Sequence, residues 1–170
     1  MEEISQVVKR AIKMETDGIE FYRKAGGKTS HPFGKEMFLS FMKEEQRHLN
    51  VLKEILADLD FSGVEEYFRQ APREKIKTIF SRLKDEMRQR IAANPDELEV
   101  LRIGMKMEEE SVSFYGDALK KSTDPRAKAL LERLILEERD HHRILENTYS
   151  LLENSGEWFL WDERALLNGG

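Results

Sequence analysis

Cysteine is absent from this chain of 170 residues. Disulfides, thiolate ligands and iron–sulfur clusters are excluded with it. No apolar run approaches the ~20 residues of a membrane span. There is no basic block and no Lys/Arg stripe interleaved with aromatics, so nothing points to a nucleic-acid surface. The formal net charge is mildly negative, −5. The first residues, Met1-Glu2-Glu3-Ile4, lack the positive segment and apolar stretch of a secretory leader. These absences lead to the expectation of a cytoplasmic protein with neither membrane nor nucleic acid as partner. β-Branched alternation is missing as well, so strands are not expected.

What remains reads almost entirely as helix. A chain of this length fits one domain and buries about two-thirds of its unfolded surface. Ser5 is a candidate cap for a first helix running to about Ala25, with Val8, Ala11, Ile12, Ile19 and Tyr22 at helical spacing and Gly26-Gly27 as its end. His31-Pro32 opens a second helix carrying Phe38, Phe41, Met42, Leu49 and Leu52. Asn94-Pro95-Asp96-Glu97 combines a capping Asn, Pro at the first helical position and acids in the first turn. Asp124-Pro125 repeats that signal for a fourth helix reaching about Leu152. The expected architecture is all-α: a four-helix bundle of two helical hairpins, 5–60 and 94–153. A helical crossover (61–93) joins them, and a tail (154–170) forms a short C-terminal helix over the bundle end. The crossover is amphipathic through Ile76, Ile79, Phe80, Leu83, Met87 and Ile91, and the tail carries Trp158 and Trp161. Their apolar faces make a homo-oligomer, a dimer, the expected assembly; core cover is the alternative.

The two hairpins are copies of one another. Laying Lys13–Gly63 over Lys106–Gly156 without a gap gives about sixteen identities, too many and too consistently placed for a chance match of two amphipathic hairpins. Glu15, Glu45 and His48 recur 93 residues later as Glu108, Glu138 and His141. Glu45 and His48 are three apart, as are Glu138 and His141, which places each pair on one helix face. Apolar neighbours such as Phe41 and Leu52 turn that face inward. Charges buried in a bundle cost several kcal/mol each. Four carboxylates and two neutral imidazoles form a ligand set for two divalent transition metals, which would compensate them. A lone E-x-x-H on a charged helix is usually a solvated face; the doubled pattern is what argues otherwise. His31 and His142 have no counterpart in the repeat and are expected at the surface.

One inward Glu from each of two helices, with an E-x-x-H from each of the other two, resembles the ferritin-like di-metal carboxylate arrangement. The motifs K-M-E-x-x-x-x-x-F-Y and E-E-x-x-H-x-x-x-L, each present twice, resemble the rubrerythrin branch over about residues 5–155. The resemblance implies two iron ions, with manganese or a mixed pair as the alternative. It implies Glu45 and Glu138 as bridges, Glu15 and Glu108 as terminal ligands, and one histidine per metal. Glu44 and Glu137 match positions that hydrogen-bond a ligand histidine; a solvent-facing acid is the competing reading. Tyr22 and Tyr115 lie two turns beyond the terminal glutamates, placed to donate hydrogen bonds or protons to the cluster unless they are ordinary buried tyrosines.

Two departures from that family matter. Its two-domain members carry a Cys-based iron–sulfur domain; with no Cys here, an external electron-transfer protein is the expected source of electrons. An additional Glu three residues after the third-helix ligand serves a redox-linked ligand switch in such members; here that position is Ser111, with Gly18 as its mate. Gly18 and Ser111 are expected to leave room for a small oxidant, with close helix packing as the other reason for a glycine there. The implied activity is reduction of hydrogen peroxide or reaction with dioxygen. Two other classes stay open: an iron-binding ferroxidase or storage protein, which needs a many-subunit shell, and a non-catalytic interaction module that metals only staple together.

Overall fold

The computed structural model describes residues 2–58, 91–92, 95–155 and 157–158. Four long helices dominate the described residues: α1 (Glu2–Lys28), α2 (Pro32–Asp58), α3 (Pro95–Lys121) and α4 (Pro125–Ser155). Proline stands at the first position of three of them. There its missing N–H is no loss and its fixed φ suits the helix. Helix α1 begins at Glu2, before the expected cap at Ser5, and runs through Gly26-Gly27 to Lys28. Two glycines do not stop a helix whose neighbouring turn is packed, because tertiary contacts outweigh a propensity cost of about 1 kcal/mol each.

The connections within each hairpin are three residues long, Thr29–His31 and Ser122–Asp124. At the second, Asp124 Oδ1 accepts from the backbone N–H groups of Arg126 (2.7 Å) and Ala127 (3.1 Å), the expected cap. At the first, His31 does the same job: its Nδ1 accepts from Phe33 N–H at 3.1 Å. His31 is buried, 2 % exposed, which corrects the expectation of a surface residue. Burial lowers its pKa against the pull of Glu97, consistent with a neutral ring whose Nδ1 accepts. Glu97, in the first turn of α3, receives Ser30 N–H (3.3 Å) and Oγ–H (3.4 Å) and ties this loop to the second hairpin. His142 is partly exposed and turned toward Glu109, 3.1 Å away.

The α1–α2 loop therefore meets the start of α3, while the α3–α4 loop lies at the opposite end of the bundle. Backbones approach closely within each hairpin; between hairpins the seam is filled by long side chains. Two apolar clusters flank the middle. One holds Tyr22, Phe33, Phe38, Phe41, Leu101 and Leu145; the other holds Val8, Leu52, Ile55, Tyr115, Leu130 and Leu134. Strands were not expected, but Ile91–Ala92 and Glu157–Trp158 form a two-residue antiparallel pair, Ile91 opposite Trp158. This pair ties the entry of α3 to the exit of α4, and it replaces helix at the start of the expected C-terminal helix. The remainder of the crossover and of the tail lies outside the described residues. No helix among the described residues is long and apolar enough to cross a membrane.

Candidate metal centre

Between the two apolar clusters lies a buried polar layer. Glu15, Glu45, Glu108 and Glu138 are at most 4 % exposed, and His48 and His141 are wholly buried. Each helix delivers its residues from mid-span, where the backbone is hydrogen-bonded on both sides and rigid. The E-x-x-H pairs sit on α2 and α4; the single glutamates sit on α1 and α3.

The expected six residues converge in two overlapping sets. Glu15, Glu45, His48 and Glu138 offer ligand atoms all within 4.8 Å of one another, and so do Glu45, Glu108, Glu138 and His141. His48 Nδ1 faces Glu15 Oε2 at 3.2 Å, Glu138 Oε1 at 3.3 Å and Glu45 Oε2 at 3.6 Å. His141 Nδ1 faces Glu45 Oε1 and Glu138 Oε2, each at 3.2 Å, and Glu108 Oε1 at 3.5 Å. Glu45 and Glu138 thus turn one oxygen to each imidazole. The two rings stack 6.3 Å apart at 19°.

The outer contacts cross from one hairpin to the other. His48 Nε2 lies 2.9 Å from Glu137 Oε2, and His141 Nε2 lies 2.8 Å from Glu44 Oε2. Glu44 and Glu137 are therefore histidine partners, but each serves the histidine of the opposite copy. Such a partner holds the proton on Nε2 and leaves the Nδ1 lone pair pointing inward. The Tyr22 hydroxyl donates to Glu108 Oε1 and the Tyr115 hydroxyl to Glu15 Oε1, again crosswise. The copies then diverge. Glu137 is also gripped by Arg47 (2.8 Å) and Arg133 (2.5 Å), whereas their repeat mates are Asp140 and Ser40. The other partner, Glu44, has a buried Oε1 with no hydrogen bond. The arginines were not singled out in the sequence; only the charge mismatch of Arg47 with Asp140 at a repeated position marks them.

Protonation in the metal-free chain shows how crowded the charge is. Burial and the neighbouring Glu45 push Glu15 up to about 8. Burial and Glu138 push Glu108 well up. Burial and Glu138 also act to raise Glu45, but the Glu15 carboxyl and the two imidazoles close beside it hold it below the usual range. Burial would lower His141, yet the carboxylates around it raise it well above its ordinary value. Burial first, and carboxylate charge second, keep both tyrosines protonated.

These residues fit a pair of cations. Both oxygens of Glu138, Glu45 Oε1 and His141 Nδ1 are buried without a hydrogen bond although they crowd together. Unsatisfied buried acceptors are costly, and hard oxygen with imidazole donors suits iron, manganese or zinc. A β-carbon built at Gly18 would rest 3.5 Å from Glu45 Cγ, an ordinary contact, so the space there admits a methyl group and little else before Glu45 must move.

Hairpins joined back to back, with carboxylates shared across the seam between them, are the ferritin-like di-metal class. The described helices have that architecture, and their buried carboxylate and histidine groups fit its two-metal site. A family model, Rubrerythrin, matches residues 6–149. The chain belongs to the rubrerythrin family. No curated protein and no solved structure matches it.

Proposed function

We propose that this protein is a non-haem di-iron carboxylate oxidoreductase that reduces hydrogen peroxide or reacts with dioxygen, using electrons from an external electron-transfer protein. Glu15 with His48 would hold one ion and Glu108 with His141 the other, and Glu45 and Glu138, which face both imidazoles, would serve both. The observation that carries this reading is the sharing of those two carboxylates, three of whose four oxygens are buried and without a hydrogen bond. A purely structural ionic core would pair such atoms with protein donors.

Bound there, two redox-active ions supply Lewis acidity and one electron each. The chain's own part is to orient and to hold protons. Glu44 and Glu137 fix the imidazole tautomer and aim Nδ1 inward. Tyr22 and Tyr115 hold protons at Glu108 Oε1 and Glu15 Oε1, on the rim of the cluster. Reduction of hydrogen peroxide to two waters consumes two electrons and two protons, and each tyrosine–carboxylate pair is placed to deliver one proton. Burial of every group excludes bulk water, which strengthens each interaction.

The test is anaerobic loading with Fe(II) followed by rapid mixing. Two ions per chain and reoxidation by hydrogen peroxide or by dioxygen are expected, the faster reaction naming the oxidant. Two bound ions that neither oxidant touches would reduce the metals to staples. A shell of many subunits by light scattering would move the protein to iron storage.

A further inference from the structure

Residues 93 apart enclose the same volume at opposite ends of the bundle, but they do not fill it equally. At the α1–α2 end, Phe33, Met37 and Phe38 are buried and pack in one cluster with Tyr22. A β-carbon at Gly104 would sit 3.1 Å from Leu145 Cδ1, so the packing there is tight and Leu145 would have to shift. At the α3–α4 end the mates are Arg126, Leu130 and Leu131. Arg126 is exposed, Leu131 only half-buried, and the mate of Gly104 is Ala11, whose methyl is accommodated. What remains there among the described residues is a cavity of about 310 Å³.

Val8, Ala11, Leu52, Ile55 and Leu130 give this cavity apolar walls, and Lys121 and Ser122 of the loop region add polar groups. Tyr115 lines it too. Ala11 is one helical turn before Glu15, and Leu52 is one turn after His48. Tyr115 donates to Glu15. The cavity therefore abuts the Glu15/His48 half of the centre. On the Glu108/His141 side, by contrast, the Phe41 ring packs 4.5 Å from the His141 ring.

Size and lining define what fits. A water's share of the liquid is about 30 Å³, and apolar cavities favour apolar guests over water. One peroxide molecule would rattle in this space and gain nothing from its walls. An organic group of several carbons would fill it, as in small-molecule pockets with a few convergent polar groups.

We propose that the cavity holds the organic group of an alkyl or aralkyl hydroperoxide, whose peroxide end then enters the centre from the Tyr115 side. This rests on the oxidoreductase reading above. The hydroperoxide, ROOH, takes two electrons and two protons and gives ROH and water. The O–O bond breaks, two O–H bonds form, and the external one-electron donor protein is oxidised twice.

The experiment uses the full chain with two probes, cumyl alcohol and cumene hydroperoxide. Calorimetric titration of the metal-free protein with cumyl alcohol is expected to show one site per chain. Val7 and Leu131 also line the cavity; Leu131→Phe, which installs the ring of its mate Phe38, and Val7→Phe are each expected to weaken that site at least about tenfold. In the iron-loaded protein both variants should lower the ratio of cumene hydroperoxide to hydrogen peroxide reoxidation rates by a similar factor. Circular dichroism and iron stoichiometry identify a variant that misfolds, and the other then carries the test. If the wild-type protein reacts with hydrogen peroxide yet binds no cumyl alcohol, or the variants leave the rate ratio intact, the cavity assignment falls and the oxidoreductase reading stands. If the alcohol binds but no peroxide of either kind is reduced, both fall.

Discussion

The two ends of the bundle are built from one repeated sequence and share their ligands, but they pack differently. The α1–α2 end is closed: aromatic rings pack to His141, a histidine caps the helix from inside, and Glu97 pins the loop. The α3–α4 end is open: an aspartate caps the helix from solvent, an arginine stands where Phe33 has its mate, and a cavity lies below. The histidine partners differ in the opposite sense, with Glu137 locked by two arginines and Glu44 bare on one oxygen. The difference teaches that ligand geometry and packing are separable. Duplication preserved the residues that must meet at one point and released those that only fill space.

The sharpest way to break the comparison is to remove a shared residue and an unshared one. Glu138→Ala should take the iron stoichiometry from two to none, because that carboxylate serves both sites; Glu15→Ala should leave one ion. Equal loss in both variants by anaerobic titration would mean the halves are not joined as proposed.

Acidity tests what the halves have in common. Glu15, raised to about 8, binds a proton in the folded metal-free chain that the unfolded chain releases near 4.5. The folded state then holds more protons between those values, so its stability falls as pH rises through that window. Glu108 and His141, both raised, act in the same direction. Glu45 and Glu138 are held low, so their contribution is already complete above about 4.5 and stays constant. The melting temperature of metal-free protein should drop from pH 5 to pH 8, while metal affinity should rise because binding expels those protons. A melting temperature that climbs over this range would contradict the protonation pattern.

Packing tests the ends themselves. Phe38→Ala at the closed end should cost about 3–5 kcal/mol in urea denaturation, the usual range for a buried ring. Its mate Leu131→Ala, half-buried beside a cavity, should cost less than about 2 kcal/mol. Similar losses would mean the open end is better filled than its lining suggests. An intermediate effect is expected from the charge lock. Arg47→Ala removes one of the two arginine hydrogen bonds to Glu137, worth about 1.5–3 kcal/mol. Asp140→Ala, at the equivalent place on α4, should change little.

Much of this was legible in the sequence. Helical period, proline starts and a gapless repeat gave the four helices, and the repeat gave all six converging side chains, because ligand spacing is dictated by helix geometry alone. The rest depended on neighbours across the seam. A helix face can be read from one strand of sequence, but which opposing residue it meets cannot, so the crosswise pairing of Glu44 with His141 and of Tyr22 with Glu108 was invisible. His31 was misplaced because capping by a buried imidazole leaves no periodic mark. The cavity escaped notice because Leu130 and Leu131 read as ordinary apolar mates of Met37 and Phe38; a lost ring changes volume, not hydrophobic pattern. Residues 59–90 and 159–170 carry the crossover and tail expectations and fall outside what is described.

The crosswise hydrogen bonds reach further back than the present chain. A hairpin set against a duplicate of itself by a two-fold rotation would satisfy every one of them, each copy steering the other's imidazole and acid. Neither hairpin by itself could do so. The architecture is therefore that of a self-complementary pair fused into one polypeptide, and separately expressed halves should find one another to rebuild the core.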